Sequence, residues 1–120
     1  MQTKPKVSII GQGYVGLPLA MAAAEAGLEV TGIDIDLGKI DLINSGKSPV
    51  EDISDSRLQK ALANRTYKAT NEFSQIAEAN VVVICVPTPL DDDLQPDLGA
   101  LVGATNSIVP FLKEGMLIIS

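Results

Sequence analysis

The chain has 120 residues, 46% of them hydrophobic and 20% charged, enough for one compact domain with a core and too few for two. Its net charge of -6 argues against a nucleic-acid partner, which calls for a basic face. One cysteine, Cys85, and no histidine exclude an internal disulfide and any Ser–His–Asp chemistry within this chain, and leave too few ligands for a zinc site.

Lys6 to Ile10 reads as a short buried strand, β-branched at Val7, Ile9 and Ile10. A glycine-rich turn, Gly11 to Gly16, leads into a helix expected from Val15 to Ala26. Pro18 falls in its first turn, where a missing N–H costs nothing, and Gly27 suits the left-handed residue that ends it. This uncharged stretch after Lys4 and Lys6 has the outline of a secretory signal. Gly11, Gly13, Gly16 and Pro18 interrupt it, and it is too broken for a membrane span. A cytoplasmic protein with no membrane partner is expected, and the Asn64-Arg65-Thr66 sequon reads as chance.

Leu28 to Ile33 is a second strand, ending at Asp34, and Leu37 to Asn44 a second helix. A polar loop, Gly46 to Asp55, precedes a helix from Ser56 to Asn64, in which Leu58 and Leu62 are spaced by four. Thr66 to Thr70 is a brief strand and Phe73 to Ala79 a short helix. Asn80 to Val86 holds an unbroken apolar run, the pattern of a strand covered on both faces. A loop with Asp91 to Asp93 follows. Asp97 is expected to cap a helix running to about Leu112, and Met116 to Ile119 forms the last strand. Strands alternating with helices predict a doubly wound parallel sheet with helices on both faces, a three-layer α/β/α domain.

Gly11-Gln12-Gly13-Tyr14-Val15-Gly16 matches G-x-G-x-x-G. Three glycines alone are a weak signal, but here they follow a strand, open a helix, and precede a second strand that ends in an acid 18 residues beyond Gly16. That is the Rossmann dinucleotide pattern. Gly11 permits a tight turn, Gly13 lets a pyrophosphate approach the backbone, and Gly16 lets the helix pack close to the first strand. The amides of Tyr14 and Val15, at the positive end of the helix, are placed to donate to phosphate. Asp34 would accept from the adenosine ribose hydroxyls and repel a 2′-phosphate, so NAD is favoured over NADP. Lys39 reads equally as a ribose or adenine contact and as a solvated helix residue. Val86-Pro87-Thr88-Pro89, past the carboxyl end of a strand, would supply a rigid wall with a hydroxyl toward the cofactor, or a plain turn. Cys85, within the apolar run and with no cation near it in sequence, reads as a buried structural residue and not a nucleophile.

These segments together resemble the UDP-glucose/GDP-mannose dehydrogenase family: Gly11 through Ala20, then Gly32-Ile33-Asp34-Ile35-Asp36 with Lys39-Ile40, then Val86-Pro87-Thr88-Pro89-Leu90 with Pro96-Asp97-Leu98. The Gly46-Lys47-Ser48-Pro49-Val50-Glu51-Asp52-Ile53 stretch and Leu90 are closer to the branch acting on UDP-N-acetylhexosamines, UDP-N-acetylglucosamine foremost. The resemblance implies oxidation of a sugar C6 alcohol to a carboxylate with two NAD. It implies cofactor contacts at Gly11, Gly13, Tyr14, Val15, Gly16, Asp34, Lys39, Val86, Pro87 and Thr88. The catalytic cysteine and the sugar-nucleotide site belong to a C-terminal half, and the full-length enzyme is implied to be a homodimer. No catalytic residue is expected in this chain, whose end at Ser120, just after a strand, reads as a cut. The alternatives are the NAD domain of a β-hydroxyacid-type dehydrogenase and a stand-alone nucleotide-binding module.

Overall fold

A computed structural model describes residues 4–86, 92–95 and 98–119. Five strands, β1 (Lys6–Ile10), β2 (Glu29–Ile33), β3 (Tyr67–Thr70), β4 (Val81–Ile84) and β5 (Leu117–Ile119), form one parallel sheet in the order β3-β2-β1-β4-β5. The helices are α1 (Gly16–Glu25), α2 (Leu37–Asn44), α3 (Asp55–Ala63) and α4 (Gly99–Ile108). This is the expected doubly wound α/β/α arrangement.

Side-chain alternation along the strands sorts the core into two layers. Val7 and Ile9 of β1 join Leu17, Met21, Ile43 and Leu58 on the face covered by α1, α2 and α3. Ile10, Val82 and Ile84 meet Ile76, Ala104 and Ile108 on the face covered by α4. Helix ends follow local chemistry. Gly27, at φ +94°, ends α1 in the left-handed conformation, its amide bonded back to the Ala24 carbonyl at 3.0 Å. Asp36 caps α2 by accepting from the Lys39 amide, and Ser54 caps α3 by accepting from the Arg57 amide.

Three expectations need correction. Phe73–Glu78 is a 3-10 helix, not an α-helix; six residues without a side-chain cap are too few for an α-helix to gain much from its ladder. The last long helix stops at Ile108 and tightens into a 3-10 turn, Val109–Phe111, because Pro110 has no N–H to continue it. The proposed Asp97 cap lies outside the described residues. Finally, β4 is not covered on both faces. Val82 and Ile84 are buried, but Val81 and Val83 are only half-buried. Leu117, Ile118 and Ile119 of β5 are all exposed. The three helices on that face stack over β1, β2 and β3; Val81 and Val83 pack only partly against that core, and β5 is left exposed. Among the described residues, no helix is long and apolar enough to cross a membrane.

Arg57 donates to both carboxylate oxygens of Glu25 at 2.7 and 2.6 Å, tying α3 to α1. That hydrogen bond holds the Glu25 carboxyl below its usual range. The pair's contribution is therefore complete above the ordinary carboxylate pKa and fades as pH falls through the lowered one. It is small, because both groups are wet. Burial dominates stability instead. Leu58 of α3 is fully buried in the core it shares with Leu17 and Met21 of α1, so Leu58→Ala is expected to lower the unfolding free energy by about 2–5 kcal/mol, measured by urea unfolding.

Candidate functional site

The carboxyl ends of β1, β2 and β4 converge where the sheet order reverses, the place where open α/β sheets bind ligands. A cleft of about 710 Å³ opens there. The glycine turn contributes Gly11, Gly13, Tyr14 and Val15 to its wall. Asp34, from the end of β2, and Lys39, from α2, form a second side. Cys85 and Val86 follow β4 on the third. Pro87 and Thr88 lie outside the described residues. A smaller cavity of about 210 Å³ at the opposite end of the strands mixes Lys6, Arg65 and Lys68 with Glu29 and Glu78, and has no turn of free amides.

The turn is built by close backbone approach. Gly11 takes φ +94°, and its amide donates to the Ile33 carbonyl at 2.7 Å. A Cβ on Gly11 would run into the Cys85 carbonyl, and one on Gly16 into the Gly11 carbonyl oxygen. Gly16 therefore packs against the turn itself and is absent from the cleft wall, so its place in the site is indirect. Gly13 differs: a Cβ there would meet nothing nearer than Lys39 Nζ at 4.0 Å. The space above Gly13 is open to a ligand.

Helix α1 begins at Gly16 with no side-chain cap on Val15. Its first hydrogen bond runs from the Leu17 amide to the Gly13 carbonyl at 3.1 Å. The amides of Tyr14, Val15 and Gly16 come before that ladder and have no intrahelical acceptor. With the positive end of the helix dipole behind them, they are the groups that would meet an anion. Tyr14 and Val15 are themselves exposed, at 76% and 68%, which leaves the backbone beneath them accessible.

Asp34 is the charged group of this site, and it is 8% exposed. Its Oδ2 accepts from the Gln12 amide at 2.9 Å and its Oδ1 from the Asp36 amide at 2.9 Å. Lys39 Nζ stands 3.4 Å from Oδ2, so Lys39 is a half-buried partner of Asp34 beside the Gly13 opening and not a solvated bystander. Oδ1, with a single donor, keeps lone-pair capacity for a hydroxyl, whereas Oδ2 already accepts from both Gln12 and Lys39. Cys85 is half-buried beside the turn, and burial pushes its thiol pKa up. That fits a structural cysteine and opposes nucleophilic use.

Several members of this cleft had no signal in the sequence. Pro49 and Val50 come from the loop after α2 and close the cleft near Lys39. Gln12, at a position the motif leaves free, is fully buried under the turn. It bonds to Tyr67 of β3, whose place beneath the turn only the sheet register reveals.

The glycines give a sharp contrast. Gly13→Ala is expected to keep the unfolding midpoint near its original value and to abolish dinucleotide binding, because only the ligand's space is filled. Gly16→Ala is expected to lower the midpoint clearly, because a backbone carbonyl must move. Thermal unfolding with and without nucleotide separates the two. For Cys85, alkylation at pH 8 is expected to be slower in the folded chain than in urea, to speed up as pH rises, and to slow further when the cleft is filled.

A protein-family model described as the NAD-binding domain of the UDP-glucose/GDP-mannose dehydrogenase family matches residues 5–120. UDP-N-acetyl-D-mannosamine dehydrogenase of Methanococcus maripaludis is 36% identical over 118 residues, covering 95% of this chain and 27% of that protein. NDP-N-acetyl-D-galactosaminuronic acid dehydrogenase of Ralstonia nicotianae is 37% identical over 114 residues, covering 94% and 26%. The solved UDP-D-ManNAc dehydrogenase of Pyrococcus horikoshii superposes with a TM-score of 0.88 at 36% identity, over 94% of this chain and 27% of that one. The chain thus spans about a quarter of the length of the relatives it matches. With the glycine turn, the free amides and Asp34 already in place, the match is one of chemistry as well as of sequence: this chain belongs to the UDP-glucose/GDP-mannose dehydrogenase family and is its NAD-binding domain.

Proposed function

We propose that this chain supplies the NAD site of an enzyme that oxidises the C6 alcohol of a UDP-N-acetylhexosamine to the carboxylate in two hydride transfers. The observation that carries the cofactor half of this reading is Asp34. It is a nearly buried carboxylate held by two backbone amides at the edge of a cleft whose other wall is the glycine turn. The amides of Tyr14 and Val15 would take the pyrophosphate across the open face of Gly13, with Gly11 and Gly16 holding the turn. Asp34, beside Lys39, would take the adenosine ribose, while Val86, Pro87 and Thr88 would border the cofactor past β4. Bound NAD supplies the hydride acceptor. The chain's own residues bind it, orient it and exclude the 2′-phosphate of NADP by the charge of Asp34.

The sugar-nucleotide site and the cysteine that would form a thioester are assigned to the part of the relatives that this chain does not span. The UDP-N-acetylhexosamine class is supported by the Gly46 to Ile53 loop, by Leu90, and by relatives named for N-acetylmannosamine and N-acetylgalactosaminuronic acid. UDP-N-acetylglucosamine is one candidate within that class and UDP-glucose the alternative outside it. A cytoplasmic homodimer is the proposed state of the whole enzyme. A β-hydroxyacid-type substrate is disfavoured by the family match, whose relatives are named for sugar nucleotides.

Calorimetric titration of the chain with NAD and NADP, beside Asp34→Ala, tests the cofactor reading. NAD is expected to bind more tightly than NADP, and the variant to lose about 1–3 kcal/mol toward NAD, the scale of one charged hydrogen bond. Equal affinity for the two nucleotides, or an unaffected variant, would refute the role of Asp34.

A further inference from the structure

Gln12 sits under the glycine turn, 0% exposed, and the cofactor has no need of its side chain. A buried primary amide must place both its donor and its acceptor. Here Nε2 donates to the Ile9 carbonyl at 2.9 Å and to the Gly11 carbonyl at 3.0 Å. Oε1 accepts from the Tyr67 hydroxyl at 2.7 Å, across 55 residues of sequence. Tyr67 is 2% exposed. Burial first, then the charge of Asp34, raises its phenol pKa, so it stays a donor at any physiological pH. Gly32 makes room for the pair: a Cβ there would strike Gln12 Oε1 and Cδ and come within 2.6 Å of the Tyr67 hydroxyl oxygen.

The main chain of Gln12 links this staple to the site, because its amide donates to Asp34 Oδ2 at 2.9 Å. Tyr67, on an edge strand, is therefore two hydrogen bonds from the carboxylate that faces the ribose. The turn between Gly11 and Gly13 is built from the residue type with the widest backbone freedom, and a ligand must find its amides already ordered to avoid that cost on binding. An apolar pair of the same volume would fill the space but leave the Ile9 and Gly11 carbonyls without the Nε2 donor. What the amide and phenol add is direction.

We propose that Tyr67 is a positioning residue of the dinucleotide site, acting through Gln12 to hold the glycine turn and the Asp34 carboxylate in their ligand-ready arrangement. The proposal rests on the cofactor reading above and adds residues that the glycine motif does not contain.

The test titrates the wild-type chain, Tyr67→Phe and the double variant Gln12→Met/Tyr67→Phe with NAD and NADP. It also follows amide exchange at residue 12, with Met21 in α1 as the internal reference, in the absence of nucleotide. Tyr67→Phe is expected to weaken NAD about tenfold, because the loosened turn must then be ordered as the ligand binds. It should narrow the preference for NAD over NADP and speed exchange at residue 12 while Met21 is unchanged. The double variant removes the orphaned Oε1 but also the Nε2 donor to the Ile9 and Gly11 carbonyls, so it is expected to regain only part of the thermal stability while the nucleotide preference stays narrowed. Should Tyr67→Phe fail to fold, the double variant carries the same reading. A pair that serves packing alone would lower the unfolding midpoint and leave both the NAD/NADP ratio and the exchange at residue 12 at wild-type values. That result overturns the proposal while selective binding by the wild type keeps the cofactor reading. A wild-type chain that bound neither nucleotide would overturn both.

Discussion

The backbone contact between residues 11 and 16 sets the rest of this structure. The Gly11 carbonyl occupies the place where a side chain on residue 16 would begin. This lets α1 start directly over the end of β1 and aim its free amides into the cleft. The Gly11 amide bonds to the end of β2, and the Cys85 amide bonds to the Ile10 carbonyl at 2.7 Å. The turn is thus clamped between both neighbouring strands. Everything that recognises a ligand is measured from that clamp, because the cleft lies where β2 and β4 diverge on either side of β1.

Electrostatics then works on a prepared frame. Asp34 is nearly buried in a chain of net charge -6. An unpaired carboxylate there would carry a desolvation cost, which the Gln12 and Asp36 amides and the nearby Lys39 ammonium offset. The same contacts keep the carboxylate in one orientation before any ligand arrives. Lys39 lies between the acid and the opening above Gly13, so one cation borders both parts of the cleft.

The sheet is unevenly clothed. Three helices share the face over β1, β2 and β3, whereas Val81, Val83 and the whole of β5 keep solvent contact among the described residues. Val83 and Ile119 consequently line the cleft instead of closing a core. Its floor is apolar toward β4 and β5 and polar toward the turn and Asp34.

Much of this was legible in the residues. The β-branched, apolar runs of the strands, the glycine spacing, Pro18, Gly27 and the acid ending β2 are local signals, and each placed an element within a residue or two of where it stands. The hydrophobic run misled at β4, because an apolar sequence shows what a strand can bury and not which helices arrive to bury it. The α-helix expected at Phe73 and the full length of α4 also failed, through shortness in one case and the missing amide of Pro110 in the other. The Gln12–Tyr67 bond was invisible for a more basic reason. A polar residue at a free motif position and a lone aromatic in a strand carry no pattern, and only the pairing of β3 with β2, together with the missing side chain of Gly32, brings them within 2.7 Å. Sequence alone determined the fold class, the glycine turn at the start of α1 and the acid that ends β2, since these depend on backbone freedom and charge at fixed spacing. Tertiary structure alone decided which buried partners hold that acid in place and which strand faces stay open, since those depend on contacts between residues far apart in the chain.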